Sequence, residues 1–423
     1  MIPDHLPPRL AICLWDFSWY TRAGAGEPFA DLDTAFAETV DRGYNAVRIC
    51  AAPLLTFGEL GLDPEIAVSG LGTAPDGGIY GRNTRWYDVP GGYRIDVRAR
   101  LIDLVRAARR HGVVVILASW EYQQSPAFAA EPAWWNAIAA VAVDDRYDHL
   151  ERAFDRMLVA LRDEGLLESV AFTELHNEVD FSRVPPLVDR GALAVERLRA
   201  KHPGQLVSVS YGKPPHLDMG SVSPSMHVAQ FHVYTYGVLD VLQQRIDLRS
   251  EGTRDFPNAE LRDLLVDDAP PFDGAAPSRN YGFDSAWRAD ATVVTDQMIY
   301  GYDFIDARKW DAWLRERYPA YRDEMRAEIA ARVDGVAAWA AEHGVPQVIG
   351  EGWVGYTPLR GTFEEGPEGL ELAEHGIRCA LAAGAWGMVL CSNAAPHHPM
   401  WQNVEWQRRM NAEITDSATE ATR

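Results

Sequence analysis

Two apolar patterns take turns along this chain. One is a stripe with helical spacing: Val97, Leu101, Leu104, Val105 and Ala108, then Leu150, Phe154, Leu158 and Leu161, then Met325, Ile329, Val333, Val336 and Ala340. Apolar residues recurring every three to four positions predict helices with one buried face. The other is a short continuous run rich in β-branched residues, such as Val113–Leu117 or Val348–Ile349. Such runs predict parallel strands covered on both faces. A glycine recurs at the joint between the two patterns, at Gly43, Gly112, Gly165, Gly204, Gly344 and Gly384. Glycine suits that joint because a helix often ends on a left-handed residue.

Counting Leu10–Leu14 and Val228–His232 with the runs that follow the glycines gives eight strands, each trailed by a helical or loop segment. Eight βα units predict an α/β chain folded as a (β/α)8 TIM barrel. An open doubly wound sheet is the competitor, but no Gly-rich phosphate fingerprint follows the first strand. A plain barrel needs ~250 residues, and this chain has 423. The surplus falls into two βα segments, about 52–93 after strand two and about 237–321 after strand six. The expectation is one catalytic domain, 1–423, with both insertions on the catalytic face.

Composition narrows the partners. Lys and Arg number 40 against 61 Asp and Glu, a net charge of −21, so no basic stripe is available for nucleic acid or an anionic membrane. No run is long enough to cross a bilayer, and Met1–His5 does not lead a signal-like segment. The four cysteines, Cys13, Cys50, Cys379 and Cys391, have no C-x-x-C spacing and read as small buried thiols rather than a disulfide or metal set. These features predict a cytoplasmic protein without cofactor or metal. They leave the oligomeric state open.

Residues at the carboxyl ends of barrel strands converge on one pocket. Here those ends carry Trp15, Arg48, Trp120, Asn177 with Glu178, Tyr211, His232 with Tyr234, Glu351, and Ser392 with Asn393. Aromatic faces, amides, a guanidinium and two separated glutamates suit a sugar and acid-assisted cleavage of its glycosidic bond. Glu174 shares the alternation phase of His176 and Glu178, which predicts an inward ion-pair partner, with Arg48 the candidate. His176 reads as a supporting histidine. Trp120 and Trp353 suit either sugar platforms or barrel-top packing. Trp134, Trp135, Trp310 and Trp313 read mainly as packing of the insertions, and Glu364–Glu365 and Asp144–Asp145 as solvated faces.

Four strand motifs carry a family resemblance. Tyr44–Ile49, Phe172–Glu178, His232-Val233-Tyr234 and Gly350-Glu351 resemble, in order, the second-, fourth-, sixth- and seventh-strand motifs of the clan A retaining glycoside hydrolases. The nearest likeness is to the cellulase-like enzymes around glycoside hydrolase family 5. The resemblance implies Glu178 as acid/base and Glu351 as nucleophile. It implies Arg48 and Tyr234 as supports of the nucleophile, and Asn177 as a ligand of the hydroxyl beside the anomeric carbon. The chain departs from that family where Val179 follows the acid glutamate in place of Pro. It departs again where the eighth strand ends in Ser392-Asn393 in place of a Trp; Trp401 is the candidate displaced platform. The reading is a retaining, exo-acting glycosidase or transglycosylase on a small carbohydrate. Two alternatives remain: a metal-dependent sugar isomerase or epimerase using Glu178, His232 and Glu351, and a sugar-binding protein without catalysis.

Overall fold

In the computed structural model the structure describes residues 2–74, 77–212, 219–249, 255–272 and 282–420. Nine parallel strand pieces make one sheet. In chain order they are β1 (Leu10–Asp16), β2 (Ala46–Cys50), β5 (Val114–Ala118), β6 (Val170–Glu174), β7 (Val207–Ser208), β8 (Ser210–Tyr211), β9 (Ala229–Thr235), β10 (Gln347–Val354) and β11 (Gly387–Val389). An antiparallel hairpin of β3 (Glu65–Ser69) and β4 (Gly91–Asp96) stands apart from it. The sheet order is β7-β6-β5-β2-β1-β11-β10-β9-β8. The two end pieces, β7 and β8, are consecutive parts of one stave interrupted at Val209. The sheet therefore closes on itself, a TIM barrel of eight staves.

Helices cover the outside at Leu32–Asp41, Val97–Arg110, Arg146–Asp163, Arg190–Lys201, Ala307–His343, Pro367–Ala382 and Val404–Glu420. Their apolar stripes pack against the outward faces of the staves; Leu101, Leu104, Val105 and Ala108 are all buried. Gly43, Gly112, Gly165, Gly344 and Gly384 adopt positive φ at the helix-to-strand joints, while Gly204, in a Pro-Gly turn, does not. The connection from β8 to β9 shows a single 3-10 turn, Met219–Ser221, and no α-helix among its described residues; residues 213–218 lie outside them. The helix Ala307–His343 runs 37 residues with Pro319 inside it, so the last part of the expected 237–321 segment, from Ala307 on and about four turns long, belongs to a barrel helix. Residues 75–76, 250–254 and 273–281 of the two insertions lie outside the described residues.

Two layers fill the barrel. The lower is apolar: Leu10, Ile12, Ala46, Ile116, Phe172, Val348 and Val389 form one buried cluster. Trp386 belongs to it and donates its indole N–H to the Pro7 carbonyl at 3.0 Å. That tryptophan closes the barrel at the end opposite the pocket. The upper layer is polar, and two residues of alternation separate the layers on β2 and β6: Ala46 and Arg48, Phe172 and Glu174.

The first insertion is tied to the barrel by a second polar cluster. Buried Arg85 donates to the carbonyls of Thr357 (3.1 Å) and Pro358 (3.3 Å), and ion-pairs with Glu365 and Glu364. Glu364 in turn accepts both Asn393 amide contacts, at 2.7 and 2.9 Å. Glu364 and Glu365 are thus not a solvated face; Glu364 is 2% exposed. The four cysteines are free thiols, three of them buried.

Candidate active site

A cavity of about 450 Å³ opens at the carboxyl end of the barrel. Glu178, Glu351, Asn177, Trp120 and Tyr234 line it. The segment 52–93 contributes Thr84, Trp86 and Tyr87, and the segment after β9 contributes Tyr236, Arg249 and Tyr302.

Arg48 organises the polar layer beneath the cavity. Its Nε and Nη2 donate to the two oxygens of Glu174 at 2.8 and 2.7 Å. Nη1 reaches Glu351 Oε1 at 2.7 Å, and Nη2 reaches Asn177 Oδ1 at 2.5 Å. The guanidinium lies 4.5 Å from the centre of the Trp120 ring. Burial opposes its charge, but Glu174 and Glu351 outweigh burial and hold it firmly protonated. The bidentate fork to Glu174 locks the guanidinium plane, which leaves one edge for Glu351.

Glu351 reaches the pocket through an irregularity. The pairing of β10 with β9 slips between Ile349 and Glu351. At Gly350 a Cβ would lie 2.1 Å from the Gln230 amide nitrogen, so any larger residue there would have to push that side chain aside. Such a slip turns the following side chain onto the other face. Glu351 Oε2 then accepts the Tyr234 hydroxyl at 2.8 Å, and Tyr234 also contacts Ser392 Oγ at 2.7 Å.

Glu178 has a different setting. It sits just past β6 with φ of 43°, a left-handed conformation that non-glycine residues rarely hold. Oε1 lies 2.8 Å from His232 Nδ1 and Oε2 accepts Gln123 Nε2 at 2.9 Å. Gln123 Oε1 accepts from Asn177 Nδ2 at 2.7 Å, so one glutamine links the amide and the carboxylate. A Cβ at Gly212 would come within 2.5 Å of Glu178 Oε1, so this carboxylate needs a residue there without a side chain. His232 is fully buried. Burial works against its charge, yet Glu351 and the bond to Glu178 prevail over burial and Arg48, raising its pKa. Ligand atoms of Glu178, His232 and Glu351 all lie within 4.8 Å of one another.

The other sequence-derived candidates divide cleanly. His176 is buried, accepts the Tyr122 N–H at 3.1 Å and contacts the Asn177 carbonyl at 2.7 Å. Burial lowers its pKa to about 3, so a neutral ring pins the loop that carries Gln123. Trp15 points outward, packed on Phe29 and Phe36 at 5.0 and 4.6 Å. Trp353 is also outside the cavity, donating to the Val389 carbonyl at 3.3 Å and filling the space above Gly376. Asn393 is spent on Glu364. Trp401 stacks on Tyr44, lies under Arg42 at 3.9 Å and donates to Glu38 at 2.9 Å; it does not line the cavity. Trp134, Trp135, Trp310 and Trp313 do not line it either.

Sequence reading passed over Asp16 and Gln123. Asp16 shares the even numbering of Leu10, Ile12 and Leu14, but β1 slips against β2 between Leu14 and Asp16, so alternation alone does not assign its face. Gln123 lies three residues beyond Trp120 in a loop, where no periodicity applies.

Residues 12–187 and 285–415 match the profile of a family described as sugar-binding cellulase-like. The stretch between these matches holds β7, β8 and β9, and with them His232 and Tyr234. Among solved structures, a protein from Parabacteroides distasonis provisionally described as a glycoside hydrolase superposes with a TM-score of 0.66 at 17% identity. That alignment covers 97% of this chain and 94% of that one. An endo-β-1,4-mannanase from Thermotoga petrophila gives 0.47 at 12% identity, covering 96% and 77%. A glycoside hydrolase family 5 mannosidase from Rhizomucor miehei gives 0.47 at 11%, covering 99% and 96%. At these identities the likeness is one of fold. No curated protein matches the chain in sequence.

Proposed function

The chain belongs to the sugar-binding cellulase-like family, and from that premise we propose that it is a retaining glycosidase acting on the end of a small glycoside or oligosaccharide. The observation that carries the reading is the close approach of two carboxylates with unlike partners. Atoms of Glu178 and Glu351 lie within 4.8 Å. Retaining enzymes hold their carboxyl groups ~5–5.5 Å apart, whereas inverting ones need ~6.5–9.5 Å to admit a water.

The unlike partners support unlike roles. Glu351, held by Arg48 and Tyr234, is kept as an oriented carboxylate and attacks the anomeric carbon. Glu178 shares a proton with His232 Nδ1 and delivers one to the leaving oxygen, then takes one from the attacking water in the second step. Asn177, oriented by Arg48 and Gln123, is placed for the hydroxyl beside the anomeric carbon. Trp120 and Trp86 offer ring faces to the sugar. The segments around Trp86 and Tyr302 wall the cavity, which supports a short substrate entering by one end; 1–423 then works as one catalytic unit.

The test is replacement of Glu351 with Ala, followed by addition of azide. Aryl glycoside turnover should fall by about 10³-fold or more. Azide should restore aglycone release and yield a glycosyl azide of opposite anomeric configuration to the wild-type product. Full activity in the variant, or an azide of unchanged configuration, removes Glu351 from the nucleophile role.

The cluster of Glu178, His232 and Glu351 supports a second reading, a divalent cation site for sugar isomerisation or epimerisation. It ranks lower because Arg48 already occupies one Glu351 oxygen and Tyr234 the other, so a cation must displace a guanidinium. Loss of turnover on chelation, restored by a divalent ion, would reverse that ranking.

A further inference from the structure

Asp16 and Thr84 stand out among the residues that line the cavity. Both are buried, and each has a polar atom without a partner, Asp16 Oδ2 and Thr84 Oγ1. Buried polar atoms are nearly always satisfied, and an exception marks a waiting partner or function. Six described non-glycine residues have positive φ, and Asp16 (44°) and Glu178 (43°) are the two that line the cavity. The two come from different parts of the chain: Asp16 ends β1, and Thr84 belongs to the 52–93 segment. Electrostatic coupling places Asp16 near Glu351 and near Tyr87. The backbone N–H of Tyr87 donates to the Thr84 carbonyl.

We propose that Asp16 and Thr84 form a hydroxyl-binding subsite for the sugar ring attacked by Glu351, with Trp86 beside it. This rests on the glycosidase reading and names what its cavity recognises. The chemistry is set by how Asp16 is held. Its Oδ1 is committed as acceptor to Ser18, from the backbone N–H at 2.5 Å and the hydroxyl at 2.7 Å. Burial, with a smaller push from Glu351, raises its pKa to about 8 against the opposing Ser18 bonds. At neutral pH the carboxyl is therefore protonated, and Oδ2, the buried oxygen left without a partner, is the one free to donate. Thr84 Oγ1 both donates and accepts. A donor and an amphoteric hydroxyl on residues that line one cavity match free sugar hydroxyls, each of which accepts and donates. It rejects a ring whose hydroxyl there is methylated, acylated or extended by another sugar. Trp86 stands edge-on to Tyr356 at 4.6 Å between ring centres, and both line the cavity, giving an apolar surface for the C–H face.

The test measures binding, not turnover. Calorimetric or saturation-transfer titration of the full chain uses D-glucose, D-mannose, D-galactose and D-xylose, then singly deoxygenated forms of whichever binds best. Asp16→Asn keeps an acceptor for Ser18 and a donor toward the cavity, and should bind within about threefold of wild type. Asp16→Ala and Thr84→Val should each lose about tenfold, and that loss should vanish for one particular deoxy sugar. Wild-type affinity in all three variants, or an Asp16→Ala loss equal for every deoxy form, overturns the subsite, as does failure of all four sugars to bind. If sugars bind as described but the Glu351→Ala azide test fails, the subsite stands and the glycosidase reading falls.

Discussion

Two buried arginines, Arg48 and Arg85, have nearly the same equipment and opposite surroundings. Each ion-pairs with two glutamates, Glu174 and Glu351 in one case and Glu364 and Glu365 in the other. Each cluster includes an asparagine, Asn177 or Asn393. Around Arg48, Glu351 and Asn177 face the cavity; around Arg85, none of the members does. One cluster therefore presents two of its groups to the cavity, while the other clamps the 52–93 segment to the barrel. A buried ion pair is not by itself a sign of catalysis. What separates the two is access: Glu351 and Asn177 line the cavity, and no member of the Arg85 cluster does.

That contrast can be broken most forcefully at Arg48. Arg48→Met should cut kcat by about 10²–10³-fold, comparable to removing a preorganised donor at a reacting centre. It should also destabilise the fold, because Glu174 is left buried and unpaired. Arg85→Met should reverse the emphasis. Unfolding should cost about 3–5 kcal/mol less, the usual effect of removing one partner of a buried pair, with kcat per folded molecule within about fivefold of wild type. Denaturant titration and initial rates on the same preparations separate the two outcomes. Equal loss of activity in both variants would erase the distinction.

Protons sharpen the contrast further. Burial raises Asp16 to about 8, Glu121 to about 7 and Glu364 to about 7. The folded state then holds protons that the unfolded chain, titrating near 4, has released. Stability attributable to these groups is fully present below about pH 4 and declines as pH rises toward 7–8. Around Asp16 the opposing charge is Glu351, with Tyr87 and Tyr20 also near. Around Glu364 it is Glu365, against Arg85. Asp16→Asn should remove only its own share, so its gain in unfolding free energy over wild type should grow between pH 5 and 8.5, on the order of a few kcal/mol at most. A gain that is constant across pH would contradict a protonated Asp16. The smallest effect belongs to Trp401→Phe. Losing its bond to Glu38 should cost about 0.5–1.5 kcal/mol and leave KM unchanged; a raised KM would restore Trp401 as a sugar platform.

Much of this was legible from the chain. The glycine-punctuated period carried the eight staves, and parity along β6 put Glu174 and Glu178 on the inward side. Even numbering on β1 reached Asp16, but β1 slips against β2 between Leu14 and Asp16, and the aromatic neighbour Trp15 drew the assignment. Indoles were the weakest guide: Trp15 and Trp353 sit near strand ends and Trp401 in a 3-10 turn well past the last strand, yet none lines the cavity. Glu364 read as solvated because a Glu-Glu pair carries no local sign of Arg85, which arrives from a segment far away in sequence.

The sequence by itself determined the βα order, the identity of the residues at the strand ends and the alternation that assigns most of them a face. These are local properties, set by side-chain periodicity and helix-end chemistry. The tertiary structure alone decided the rest. The slip at Gly350 reverses the parity of β10, and no periodicity could announce it, because it is a property of how β10 pairs with the neighbouring stave. Barrel closure likewise brings Arg48 within bonding distance of Glu174, Asn177 and Glu351 at once. Whether a buried carboxylate meets a cavity or a clamp depends on which distant segment lies over it, and that is a property of packing rather than of pattern.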